Sequence, residues 1–296
     1  MKSFIFSVFS ILIFTSCHPQ IENTALKTTM SSAIINGTTV ASEDSIASHT
    51  VLVHDIKNDY ICTGVIILKN VVLTAAHCLS HNHNNFEIIF STKAYSLLDY
   101  HNDTEFIRHA EKVVIHKDYI SDYNKQPSMN QSDIGMVYFR GELPVGYVPA
   151  QIKMDDYIIK TGQVMTMTGF GVTKISATDV KYKKSQKFQE GINDGIIICD
   201  DKVKDINGVP TCIEIDADGD GELMKTQAFV KTIFDHEFVL DEKNSGTCEG
   251  DSGGPVFVEE NGVQYLVGIT SRGDLLCNGI GIYTAVPSFI EWILDN

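Results

Sequence analysis

Short apolar runs separated by turn residues fill the chain from residue 50 onward: Thr50–Val53, Gly64–Leu68, Val71–Thr74, Phe86–Phe90, Lys112–Ile115 and Ile134–Phe139. Several are rich in Val and Ile, whose branched side chains suit a pleated surface, so they are expected to be strands. A further strand is expected at Leu223–Lys231. Pro287–Leu294 alone has apolar residues spaced for a helix. Many short strands without a long helical period predict an all-β sandwich or barrel.

The N-terminus follows a different pattern. After Lys2, residues Phe4 to Phe14 form an apolar run of eleven, too short to span a bilayer but right for a signal-peptide core. The run ends in Thr15-Ser16-Cys17. Small residues before a cysteine resemble a bacterial lipoprotein signal, in which Cys17 carries the lipid and begins the mature chain. Phe14 departs from that signal, which usually has an aliphatic residue there, and an ordinary cleaved secretory signal is the alternative. Residues 1–17 are thus read as a signal peptide, and the small, polar residues 18–33 as a propeptide or linker.

Composition narrows the partners. Thirty-eight acidic residues against 23 basic give a net charge of −15, which argues against nucleic acid and against charge-driven docking on an anionic membrane. Membrane attachment is left to the lipid on Cys17. Seven cysteines are an odd number, and setting Cys17 aside leaves six, as an exported chain with disulfides would have.

Three segments carry candidate chemistry. Gly246 to Pro255 reads G-T-C-E-G-D-S-G-G-P and sets Ser252 in a glycine-rich turn, where backbone N–H groups can face a reacting carbonyl oxygen. A serine hydroxyl is a poor nucleophile without a base and an orienting carboxylate. Leu73-Thr74-Ala75-Ala76-His77-Cys78 supplies a histidine, and Ser132-Asp133-Ile134 an aspartate. Together, and in the order His77, Asp133, Ser252, these motifs resemble the chymotrypsin/trypsin family of serine endopeptidases, from about Ile34 to Asn296.

That resemblance implies two six-stranded antiparallel β-barrels with the active site in the cleft between them and a C-terminal helix. One peptidase domain would cover 34–296, with a boundary between barrels near 140–160. His77 would be general base, Asp133 its orienting partner, and the N–H groups of Gly250 and Ser252 the oxyanion hole. Ile34, freed as a new N-terminus, would place its amine against Asp251, so the chain is expected to be a zymogen needing an activating protease. Ala33 departs from the usual activation site, which follows Lys or Arg. The family's bridges correspond to Cys62 with Cys78 and Cys248 with Cys277. Cys199 and Cys212 remain to pair with each other. Another family bridge is replaced by apolar Met165 and Val258.

The resemblance also locates the specificity pocket at Gly246, Thr247, Ser271, Gly273 and Gly281, with Tyr283 behind. The trypsin-type pocket has an aspartate where this chain has Gly246. With no carboxylate at the base, an uncharged residue before the scissile bond is expected, large apolar or aromatic ones first. Thr247 and Arg272 point instead to a polar or acidic residue, an option that Glu249 opposes.

Residues 172–222 are longer than the family usually has at this place and border the substrate entrance, which suggests a gate or an exosite. Within them, Asp216, Asp218, Asp220 and Glu222 match the start of an EF-hand-type calcium loop, but Gln227 stands at the twelfth position. A shortened structural calcium loop and a solvated acidic turn both remain open, and no cofactor is expected for catalysis. His81 and His83 read as part of an exposed polar loop. The function expected is an exported, monomeric endopeptidase acting on protein or peptide substrates, secreted or lipid-anchored at a bacterial cell envelope. The alternative is a surface-anchored binding protein that keeps the fold but is never activated.

Overall fold

The computed structural model describes residues 33–94, 105–122, 125–154, 157–193, 196–204 and 208–296. The expected signal sequence, Cys17 and nearly all of the linker lie outside them. After a two-residue strand β1 (Thr38–Thr39), six strands close a barrel: β2 (Thr50–Asp55), β3 (Tyr60–Leu68), β4 (Val71–Thr74), β5 (Phe86–Ile89), β6 (Ile107–Ile115) and β7 (Gly135–Phe139). All neighbours are antiparallel, in the order β2-β3-β4-β7-β6-β5.

The strands of this barrel read as continuous apolar runs because both faces are buried. Val72 and Val137 point into the barrel with Val51, Phe86 and Phe139. Their neighbours Val71, Leu73 and Met136 face outward, into a second core shared with Phe257, Leu266 and Ile269. Each such side chain taken out of water contributes about 1.5–3 kcal/mol, so this shared layer holds the two halves together.

The second half begins with β8 (Gln151–Ile152) and β9 (Val164–Gly169). The insertion follows, and it is folded: β10 (Lys174–Lys181), helix Gln186–Asn193, β11 (Ile197–Lys204) and β12 (Pro210–Asp218) make a three-stranded antiparallel sheet with a helix beside it. Phe188, Ile197 and Cys212 form its small core. The chain then completes the second barrel with β13 (Met224–Ile233), β14 (Glu237–Asp241), β15 (Pro255–Glu260), β16 (Val263–Gly273) and β17 (Ile280–Ala285). The ring runs β9-β13-β14-β17-β16-β15 and returns to β9. Helix Ile290–Asp295 ends the chain and packs Ile290 and Ile293 into the layer between the barrels. Met165 and Val258 share the second barrel's core, as expected of residues that pack in place of a bridge.

Candidate active site

The three chemical segments meet where the barrels face each other. β4 ends at Thr74, and a 3₁₀ turn at Ala76–Cys78 lifts His77 out of the first barrel. The Cys62–Cys78 disulfide pins the turn to β3. Asp133 enters just before β7 and is almost fully buried. Its Oδ1 accepts the backbone N–H of His77 at 2.9 Å, and its Oδ2 lies 2.8 Å from His77 Nδ1. Ser271 donates its hydroxyl to the same Oδ2 at 2.6 Å. This hydroxyl, expected as a pocket wall, thus also braces the aspartate.

These contacts set the charges. Burial pushes the Asp133 carboxyl up, but the His77 charge and the hydrogen bonds from His77 and Ser271 outweigh it and hold the pKa below the ordinary value. Burial likewise pushes His77 down, and the neighbouring Asp133 reverses the shift and raises it. With its Nδ1 proton held by Asp133, the neutral ring keeps Nε2 free to accept a proton. The side chain is 28% exposed, so a substrate can reach it.

Ser252 lies against the same wall. Its carbonyl accepts the Thr63 N–H at 2.8 Å and sits 3.6 Å from Cys78 Sγ, one residue from His77. Among the described residues no hydrogen bond joins His77 to Ser252; the serine hydroxyl is instead within reach of the Tyr60 phenol. Such links are often loose before substrate binds. Gly250 and Gly253 both have left-handed backbone, with φ of 91° and 80°. At Gly253 a Cβ would lie 2.7 Å from the Ala75 nitrogen, so the turn can press against the histidine segment only with glycine there. The N–H groups of Gly250 and Ser252 donate to no other group among the described residues. They are available to one oxygen.

Asp251 points the other way and is fully buried. It accepts the N–H groups of Gly171 and Cys248, each at 2.8 Å, and no described cation pairs with it. Burial outweighs those two bonds and pushes its pKa up to about 7. Ile34 and Ile35 are buried as well; Ile35 bridges to Gly246 and packs against Cys248 and Cys277. Ile34 and Ile35 are therefore seated beside the turn that carries Asp251.

A cavity of about 270 Å³ opens at Ser252 and is walled by Thr247, Ser271, Arg272, Gly273 and the Cys248–Cys277 bridge. Arg272 does not offer a free charge to it. Its guanidinium grips buried Glu237 with bonds of 2.7 and 3.0 Å and also donates to the Ser128 carbonyl. Glu237 in turn accepts the N–H groups of Asn130 and Gln131, so the pair fixes the segment leading to Asp133. The expectation of a bare pocket base needs correction: the Glu242 carboxylate sits in the space left by Gly246 and Gly281. Tyr60, Glu237 and Glu242 were all missed from sequence. The only trace of Glu242 was a pair of glycines whose missing side chains make room for a third.

The remaining candidates separate. Cys199 pairs with Cys212 across β11 and β12, so all three expected bridges form. The acidic run does not make a loop of calcium ligands. Asp216 and Asp218 are strand residues opposite Ser176 and Lys174. Among the described residues, the only cluster of three potential metal ligands is Cys62, His77 and Cys78, whose cysteines are bonded to each other. Asp216, Asp218, Asp220 and Glu222 form no such cluster of three. His81 is exposed and His83 opens a short polar 3₁₀ turn. The insertion meets the site at Glu249, across a cavity of about 650 Å³ lined also by Thr178, Ile196, Glu214 and Asp216.

Comparison with known proteins agrees with this geometry. Kallikrein 1-related peptidase b27 of Mus musculus is 26% identical over 248 residues, 81% of each chain. CLIP domain-containing serine protease B4 of Anopheles gambiae is 25% identical over 246 residues, which are 79% of this chain but only 61% of that protein. Over a shorter stretch of 55 residues, 18% of this chain and 8% of the other, hepatocyte growth factor activator serine protease of Homo sapiens is 50% identical. The family model described as Trypsin matches residues 34–293, and with two closed barrels flanking the His77–Asp133 pair and the Ser252 turn, the chain belongs to the trypsin family of serine endopeptidases.

Proposed function

We propose that the protein is an exported endopeptidase, made as an inactive precursor, that cleaves peptide bonds through an acyl-enzyme on Ser252. The observation that carries this reading is the buried Asp133 holding His77 by two hydrogen bonds, opposite a serine turn with two unengaged N–H donors. Ser252 Oγ attacks the scissile carbonyl carbon while His77 Nε2 takes its proton. The oxygen that gains charge is received by the N–H groups of Gly250 and Ser252, each contributing about 2.7–4 kcal/mol at comparable sites. The C–N bond breaks as His77 returns the proton to the leaving amine. Water, deprotonated by the same imidazole, then releases the acid.

Activation follows from Asp251. A buried carboxylate without a cation is costly, and cutting between Ala33 and Ile34 would create an amine next to the segment that already packs on Cys248. The activating protease should accept a small residue before the cut. If Cys17 carries lipid, the same cut severs residues 18–33 from the catalytic domain and releases it from the membrane. Three disulfides support an oxidising, exported setting. The insertion, facing Glu249 across its cavity, is placed to restrict which substrates enter.

The second reading, a surface-anchored binding protein, draws on Ala33 and on the unpaired Asp251 of the uncut chain. A fluorophosphonate probe separates the two. Stoichiometric labelling of Ser252 after cleavage before Ile34 supports the peptidase; none after that cleavage leaves only the binding protein.

A further inference from the structure

Behind Thr247, one wall of the cavity at Ser252, lies a buried carboxylate that comes from an unexpected direction. Glu242 follows β14, four residues ahead of Gly246, and is 1% exposed. A Cβ added to Gly246 would lie 2.7 Å from Glu242 Oε2, and one added to Gly281 would lie 2.6 Å from its Cδ. The carboxylate thus fills the gap between two facing glycines, one on the segment leading to Ser252 and one on β17. Thr247, which lines the cavity, donates its hydroxyl to Glu242 Oε1 at 3.2 Å, and the Tyr283 hydroxyl donates to the same oxygen.

Nothing positive answers this group from within the protein. Glu242 has no ion-pair partner among the described residues, and Arg272, the one cation on the cavity wall, is already bonded to Glu237. Asp274, one of two acids lining the cavity with Glu249, is turned into its own loop, where it accepts the N–H groups of Asn278 and Ile280. Burial, with Asp251 nearby, pushes the Glu242 pKa up to about 7 despite the hydroxyl bonds. A buried acid held only by neutral donors gains most from a cation brought next to it.

We propose that Glu242 is the residue that sets specificity, and that it selects a substrate whose side chain before the scissile bond ends in a cation, lysine or arginine. The inference rests on the endopeptidase reading, and it replaces the uncharged preference expected when Gly246 was taken as a bare base. Glu249 at the mouth acts in the same direction, since it disfavours an acidic side chain.

The test uses protein cut before Ile34 and counted by fluorophosphonate labelling. Two peptides differing only in Lys or Met before the cleaved bond are compared, and benzamidine is tried as a small cationic competitor. The expected result is a Lys:Met ratio of kcat/KM of at least about 100, competitive inhibition by benzamidine, and a ratio that falls about 100-fold in Glu242→Gln. A wild-type preference for Met, or no competition by benzamidine, overturns the proposal even if the variant fails to fold. A ratio unchanged in a labelled Glu242→Gln protein overturns it too. Absence of labelling in the wild type removes the endopeptidase reading, and this inference with it.

Discussion

His77 accepts a proton only while its ring is neutral, and the carboxylate that orients it also makes it harder to keep neutral. Asp133 raises the His77 pKa above its ordinary 6.5 against the opposing effect of burial. The active form is the deprotonated one, so kcat/KM should fall as pH drops through a limb lying above 6.5. Asp133→Asn should move that limb down and lower kcat by several orders of magnitude; stopped-flow or steady-state pH profiles of both proteins check this. A limb that stays in place in the variant contradicts the pairing. At this scale the His77–Asp133 pair and the Ser252 turn were legible because each residue sits in a short motif with its own flanking residues. Glu242 was not, since its role depends on Gly246 and Gly281 meeting across the second barrel. Nor was the Arg272–Glu237 pair, whose members lie 35 residues apart.

At the scale of elements, strands of the first barrel such as β3 and β4 were legible because burial on both faces leaves runs of Val, Ile and Leu, whereas in the second barrel only β13 was read from sequence. The insertion was not, and for a physical reason. Its sheet has one thin core, so β12 alternates half-buried Ile213 and Ile215 with exposed Glu214 and Asp216, and the acidic residues resembled a metal loop. Two consequences follow. Isothermal calorimetry with millimolar calcium should show no binding, because Asp216 and Asp218 are held as ladder residues of β12; measurable heat with a defined stoichiometry would contradict that. Replacing Cys199 and Cys212 together by serine should expose residues 172–222 to limited proteolysis while both barrels stay resistant. The disulfide closes one edge of a sheet whose core holds little else. Unchanged protection of the insertion would show that its core suffices alone.

For the whole molecule, the two barrels create the cleft, and the proposed activation links its chemistry to the N-terminus through Asp251. In the uncut chain Asp251 is pushed up to about 7 from an ordinary 3.8, so the folded form holds a proton that the unfolded form has lost. Stability from this group is therefore complete at low pH and is lost as pH rises through about 7. An amine supplied to Asp251 removes the loss. The Tm of cut protein should thus exceed that of uncut protein by a margin that widens between about pH 5 and 8. A margin independent of pH, by calorimetry, would mean that the amine does not reach Asp251. The central claim is that Ser252, activated by His77 and Asp133, cleaves peptide bonds once the chain is cut before Ile34. Peptide hydrolysis measured on the cut protein beside its Ser252→Ala variant tests it most directly. The account predicts turnover in the first and a loss of at least about 10³-fold in kcat in the second, with both folded; a variant that keeps a tenth or more of the activity would contradict it.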